Sequence, residues 1–341
     1  MAVRVGINGF GRTGRTAFRS WWENQSKHGI DDIEIVAINR GPAEIRAHLL
    51  AYDSDYGRFP DPISTENDVM HVGDHSVRVF NANSPETIPW HEEGVDIVIE
   101  STGQFKTGNE AAGHLKQGVK KVVISAPAKA VDWTVIMGAN QSEYDGTNHN
   151  VISAGSCTTN CIVLAVKVLN DSFGIENGLM STIHAYTGDQ NLVDNSHKDL
   201  RRARAAALNI VPTSSGAAGA IGEIIPDLKG KIDGFAYRVP TPTVSVVDLV
   251  TKLRKSPSSD SINEAFLEAA NGNLKDFLYY ESDELVSSDF KKHSGSAIHD
   301  AASTMAVDGG NLTKTVTWYD NEWGYSCRLI DVTRLVASAG L

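Results

Sequence analysis

The residues able to do covalent chemistry fall in a few short motifs. Ser156-Cys157-Thr158-Thr159-Asn160-Cys161 puts a cysteine where a helix begins. A thiolate there is stabilised by the helix dipole, which makes it a better nucleophile near neutral pH. Cys161, one turn on and in line with Ile162 and Leu164, reads as packed core, and Cys327 has no reactive surroundings. A cysteine nucleophile needs a base that is close in space rather than in sequence. Of eleven histidines, His184 stands apart. It ends the strand-like run 178–183 and precedes Ala185-Tyr186-Thr187-Gly188-Asp189-Gln190. Further on, Asp199-Leu200-Arg201-Arg202-Ala203-Arg204 is either a salt-bridged helix or a local anion site, and Thr213-Ser214-Ser215-Gly216-Ala217-Ala218 offers a turn rich in further donors.

A second motif, Gly9-Phe10-Gly11-Arg12-Thr13-Gly14, follows the apolar run Arg4-Val5-Gly6-Ile7 and opens a helical stretch. In a Rossmann unit the first glycine permits the tight turn, the second lets backbone approach a pyrophosphate, and the third lets helix pack on strand. Unpaired N–H groups at the helix start then face the anion. At the end of the second strand an acidic residue would hold the ribose of NAD, whereas an arginine suits a 2′-phosphate. This chain has Asn39-Arg40-Gly41 there, a cation and no carboxylate. Thr102-Gly103 and Ser125 follow the next two strands, along the edge where a cofactor should lie.

The elements that must position these groups show in the apolar pattern. Runs at 4–7, 34–38, 95–99 and 121–124 alternate with helix-length segments such as 16–23, the texture of βαβ units around a parallel sheet. After Ser153 a helix from Thr159 to about Leu169 leads into longer segments, Gly234 to Arg238 and Thr243 to Lys252, expected to be antiparallel strands of a mixed α+β domain. The fold expectation is therefore α/β, a Rossmann dinucleotide-binding domain over 1–155 and a catalytic domain with a mixed or antiparallel sheet over 156–321. A C-terminal helix, about 322–341, is expected to pack back on the first domain.

With 341 residues, 41% of them apolar and 21% charged, the chain has ample core and is neither disordered nor disulfide-stapled. A net charge of −11 argues against nucleic acid as main partner, so anions must be held by local donors. The three cysteines point to a reducing compartment. No signal peptide or spanning segment is read, and a cytoplasmic protein without a metal site is expected.

In order along the chain, Asn8-Gly9-Phe10-Gly11-Arg12, Ser156 to Asn160, His184 to Gln190, Asp199 to Arg204, Arg238-Val239-Pro240-Thr241-Pro242 and Trp318 to Tyr325 resemble phosphorylating glyceraldehyde-3-phosphate dehydrogenases over almost the whole length. The resemblance implies that Cys157 attacks an aldehyde and that His184 acts as base. The resulting thioester is then split by inorganic phosphate. It implies Thr187, Arg238 and Arg202 around the substrate phosphate, and Ser156, Thr158, Ser215, Gly216 and Arg202 around the attacking one. It places Asn321 on the nicotinamide carboxamide and makes the protein a homotetramer, in which the segment from His184 to Ile210 reaches a neighbour's cofactor.

Some positions depart from the pattern. Arg40 stands where NAD-type members carry aspartate, and Asn195-Ser196 where they often have leucine-proline. Ser196 and the stretch Ala207 to Pro212 resemble the photosynthetic branch, which uses both cofactors, so NADP is expected to be accepted or preferred over NAD. Asn83-Ser84-Pro85 replaces the usual arginine-aspartate before proline, and Thr13 replaces an aliphatic residue. Two alternatives remain at this stage. One is an erythrose-4-phosphate dehydrogenase, set apart by the retained Tyr186-Thr187-Gly188 and 213–218 patterns. The other is a binding protein on the same scaffold, an RNA binder or surface adhesin.

Overall fold

In the computed structural model, which describes residues 2–28 and 32–341, the chain divides into two compact units. The first holds Met1–Val135, Asn140–Gly155 and Ser326–Leu341, and the second Ile136–Ala139 and Ser156–Tyr325.

The first unit is built on a nine-stranded sheet. Its strands run Trp133–Thr134, Val151–Ser153, Lys121–Ile124, Ile97–Glu100, Val3–Asn8, Ile33–Asn39, His75–Phe80, Val69–Val72 and Ile63–Glu66 across the sheet. The first seven are mutually parallel, and Val69–Val72 pairs antiparallel with both His75–Phe80 and Ile63–Glu66. Val3–Asn8 lies centrally, and successive crossovers build outward on both of its sides. That is the switch point of a doubly wound sheet, with its ligand crevice at the strand carboxyl ends. The central strands are apolar on both faces, as Val5, Ile7, Ile35, Ile38, Ile97 and Ile99 show by being fully buried. Only helices on both sides can cover such strands. The helix after the turn runs Arg12–His28, longer than the stripe at 16–23 indicates.

The second unit carries a seven-stranded mixed sheet, ordered Val211–Ser214, Ile232–Val239, Ile175–Ala185, Ser245–Leu253, Leu312–Tyr319, Ala297–Ala306 and Leu278–Glu281. One expectation is corrected here. Ile232–Val239 runs parallel to Ile175–Ala185 and antiparallel only to Val211–Ser214. Between Ala185 and Ile232 lie the loop 186–210, the strand Val211–Ser214 and the helix Ala217–Ile224, a connection long enough to bring its two flanking strands together parallel. The helix Cys157–Phe173 begins two residues earlier than the apolar spacing shows, because Ser156 caps it by accepting from the Thr159 N–H. Its buried face, Ile162, Leu164, Ala165 and Leu169, packs with Met180, Val247 and Leu249 of the sheet and Phe266 of the helix Ser259–Asn271.

Among the described residues no helix is long and apolar enough to cross a membrane.

Candidate active site

Cys157 is the first residue of its helix and half-buried; His184 is the tenth residue of the strand Ile175–Ala185 and buried. The fold brings Cys157 Sγ to 3.5 Å from His184 Nε2. His184 Nδ1 lies 2.7 Å from the Ala185 carbonyl oxygen, and we assign the hydrogen to Nδ1 on that shorter contact over the 2.9 Å approach of Arg238 Nη1. Nε2 then presents its lone pair to the sulfur.

Arg238 is the register partner of His184 on the parallel neighbour strand, and this pairing sets its place. Its Nη1 donates to the Ala185 carbonyl at 3.1 Å and to Thr187 Oγ1 at 3.3 Å, and passes 2.9 Å from His184 Nδ1. Its Nε is buried with no partner. The guanidinium thus meets only neutral groups in a site where charge is poorly solvated. Burial, then the Arg238 charge, pushes the His184 pKa down to about 3. Burial pushes the Cys157 thiol up, against the pull of Arg238 and of the Thr158 and Cys157 amides at the helix start. Burial thus favours a thiol beside a neutral imidazole, while Arg238 and the donors at the helix start favour the thiolate.

The other residues separate into open and engaged groups. Thr158 is buried and its Oγ1 lies 2.9 Å from the Tyr319 hydroxyl, which lies equally close to Thr182 Oγ1. This network fixes the floor beneath Cys157, and the sequence reading did not single out its Thr182 member. Ser156 Oγ caps the helix. The arginine-rich segment is an ion-paired turn, not a helix: Arg202 pairs with Asp189 and Asp199, and Arg204 with Asp194. Arg202 also donates to Thr213 Oγ1 at 2.8 Å, so its charge is already largely met. Ser215 and Gly216 begin the helix Ala217–Ile224, and a Cβ on Gly216 would find open space. Asn321 is buried and its Oδ1 accepts from Ser245 Oγ at 2.9 Å, leaving its Nδ2 hydrogens to donate. Ser196 is exposed on the loop 186–210.

In the first unit the glycine turn matches its expected division of labour. Gly9 has φ +94°, and a Cβ on Gly14 would stand 2.1 Å from the Gly9 carbonyl oxygen. A Cβ on Gly11 meets nothing within 4 Å, so the chain itself does not require glycine there; a ligand pressed against that backbone would. The residues therefore fit a dinucleotide. Arg12 is paired with Asp53 and Asp55, and Phe10 is buried. Asn39 is engaged by Asn8 Oδ1 and the backbone of Ala82. Glu100, unremarked from sequence, ties the edge together. It accepts from Asn8 Nδ2, from His114 Nε2, and from the Thr102 amide and hydroxyl. Gly103 follows with φ +68°, and the Ser125 amide bonds the Glu100 carbonyl. A carboxylate ending an otherwise apolar strand was the available signal, because buried charge must be hydrogen-bonded.

The description "Glyceraldehyde 3-phosphate dehydrogenase, NAD binding domain" matches residues 3–108, and its C-terminal domain counterpart matches 156–321. The chain belongs to the glyceraldehyde-3-phosphate dehydrogenase family. It is 53% identical over 342 residues to a glyceraldehyde-3-phosphate dehydrogenase of Mycobacterium avium, covering 99% of this chain and all of that one. It is 51% identical to glyceraldehyde-3-phosphate dehydrogenase 2 of Streptomyces arenae, with 99% and 100% covered, and 50% identical to the Geobacillus stearothermophilus protein, with 100% of both. As a member of this family the protein is an NAD(P)-dependent oxidoreductase with a Rossmann-type N-terminal domain.

Proposed function

We propose that the protein oxidises D-glyceraldehyde 3-phosphate to 1,3-bisphosphoglycerate, using NAD or NADP and inorganic phosphate. The observation that carries this reading is a cysteine sulfur 3.5 Å from an imidazole Nε2, beside a buried guanidinium whose hydrogen-bond partners are neutral. Cys157 Sγ attacks the aldehyde carbon as its proton passes to His184 Nε2, and that proton then goes to the new alkoxide. His184 next takes the hydroxyl proton back as the carbon loses its hydrogen with the bonding pair. Bound NAD(P) supplies the acceptor for that hydride. The thioester left on Cys157 is attacked by a phosphate oxygen, and the sulfur leaves as thiolate.

The Cys157 amide and His184 steady the oxyanion. Arg238 and Thr187 take the substrate phosphate, while Ser156, Thr158, Ser215, Gly216 and Arg202 serve the attacking one. Asn321 Nδ2 donates to the nicotinamide carboxamide. Use of NADP as well as NAD is supported by Arg40 and the missing carboxylate after Asn39, with Ser196 as a further contact. A homotetramer is supported by Leu192, Val193, Leu200, Leu208 and Ile210, which are 67% to 83% exposed on the loop 186–210.

The test is a steady-state assay that varies phosphate and cofactor independently. Turnover should require phosphate, and Cys157→Ser should lose about 10³-fold or more in kcat. Turnover indifferent to phosphate, or a serine variant of full activity, would sink the reading. A strong NAD preference that Arg40→Asp leaves unchanged would remove the NADP part alone.

A further inference from the structure

We propose that Arg40 and Arg46 form a two-armed clamp for a phosphomonoester on the adenosine ribose of the cofactor, the 2′-phosphate of NADP. The inference deepens the cofactor reading above and rests on it.

The helix Ala43–Ala51 starts just beyond Arg40-Gly41-Pro42, so its first turn turns Arg46 back toward the end of the second strand. A Cβ on Gly41 would stand 2.7 Å from Arg46 Nη2, which puts that guanidinium directly against the Gly41 backbone. Gly41 has φ +97° and leaves the space for it. Arg46 Nε is buried with no hydrogen-bond partner. Arg40 projects from the adjacent residue, with Nη2 2.5 Å from Gln104 Oε1, a neutral acceptor. Among the described residues neither arginine pairs with a carboxylate, whereas Arg12 of the same unit pairs with Asp53 and Asp55. Burial, and then the Arg40 charge, lowers the pKa of Arg46, so the two cations feel one another.

The backbone adds an independent sign. Arg40 has φ +114°, a strained conformation that L side chains rarely adopt. Glycine would sit there without strain. Two repelling guanidiniums, one unsatisfied and one on strained backbone, are what a doubly charged phosphate with three acceptor oxygens would offset. Arg46 is thereby a specificity-determining residue that the end of the second strand does not itself reveal.

The test is calorimetric titration of the full-length protein with adenosine 2′,5′-bisphosphate and with 5′-AMP. The wild type should bind the bisphosphate about tenfold or more tightly than 5′-AMP. Arg46→Gln should reduce that ratio about tenfold while leaving 5′-AMP within about twofold, and Arg46→Lys should keep part of it. Arg40→Gly relieves the strained backbone, so it should keep or raise the melting temperature while also losing the ratio; this variant remains informative if Arg46→Gln does not fold. Lys116→Gln, which removes one exposed cation elsewhere in the unit, should leave the ratio unchanged. A wild type that binds both nucleotides equally, or an Arg46→Gln ratio within twofold of wild type, overturns the clamp and leaves the dinucleotide reading standing. If neither nucleotide binds, the dinucleotide reading falls, and the clamp with it.

Discussion

Chemistry at Cys157 depends on how few charges surround it. Arg238 is the strongest charge drawing the thiol down against burial, and also the strongest charge holding the His184 pKa low. Arg238→Gln should therefore shift the pH profile of Cys157 alkylation by iodoacetamide upward and slow it about tenfold at pH 7.5, since one pKa unit is a factor of ten. An unchanged profile would show that the guanidinium does not sense the sulfur. Acid stability follows from the same burial. Burial keeps His184 and His299 neutral in the fold, pushing their pKa values to about 3 and about 4, below the ordinary imidazole value of 6.5. Between 6.5 and those values the unfolded chain binds more protons. Their stabilising contribution is thus complete above 6.5 and falls with pH, by up to about 1.4 kcal/mol per unit for each histidine. Urea midpoints at pH 7 and pH 5 measure this. His299→Gln should flatten the difference; an equal drop in the variant would place the acid lability elsewhere.

At the level of elements, the glycine turn joins two requirements that substitution can separate. Gly14→Ala drives a Cβ into the Gly9 carbonyl and should cost about 2–4 kcal/mol in thermal or urea unfolding. Gly11→Ala meets open space and should unfold like wild type while binding dinucleotide more weakly. Equal stability losses in the two variants would contradict the division. Both the turn and its helix were legible in sequence, as were the apolar strands around them, because continuous burial selects one residue class. The direction of Ile232–Val239 was not legible. Alternation along a strand reports which face is buried, not which way the neighbour runs. That direction matters to function, since the parallel register is what sets Arg238 beside His184.

For the whole molecule, a net charge of −11 means that the anion sites proposed above must be made from a few local cations. Arg238, Arg40 and Arg46 lack carboxylate partners among the described residues, whereas Arg12, Arg202 and Arg204 are already paired. The exposed apolar side chains of the loop 186–210 bear on assembly. If this loop forms the proposed assembly surface, Leu200→Asp together with Leu208→Asp should sediment as smaller species than the wild type. A variant that sediments as wild type would remove this loop from the assembly surface.

Residue types and their local order determined much by themselves. A cysteine that opens a helix, a histidine that closes a strand, a glycine turn after an apolar strand and a strand end lacking a carboxylate are all short-range facts, set by helix dipoles, left-handed turns and strand burial. What only the tertiary structure decided is which groups meet and which stay unmet. Sheet pairing brings His184 and Arg238 side by side, and helix packing brings Cys157 to them. The same pairing and packing tie up Thr158 and Asn39 and leave Arg46 Nε unsatisfied. Charge and hydrogen-bond satisfaction depend on neighbours distant in sequence, so spacing along the chain could name the candidates without saying which were free to act.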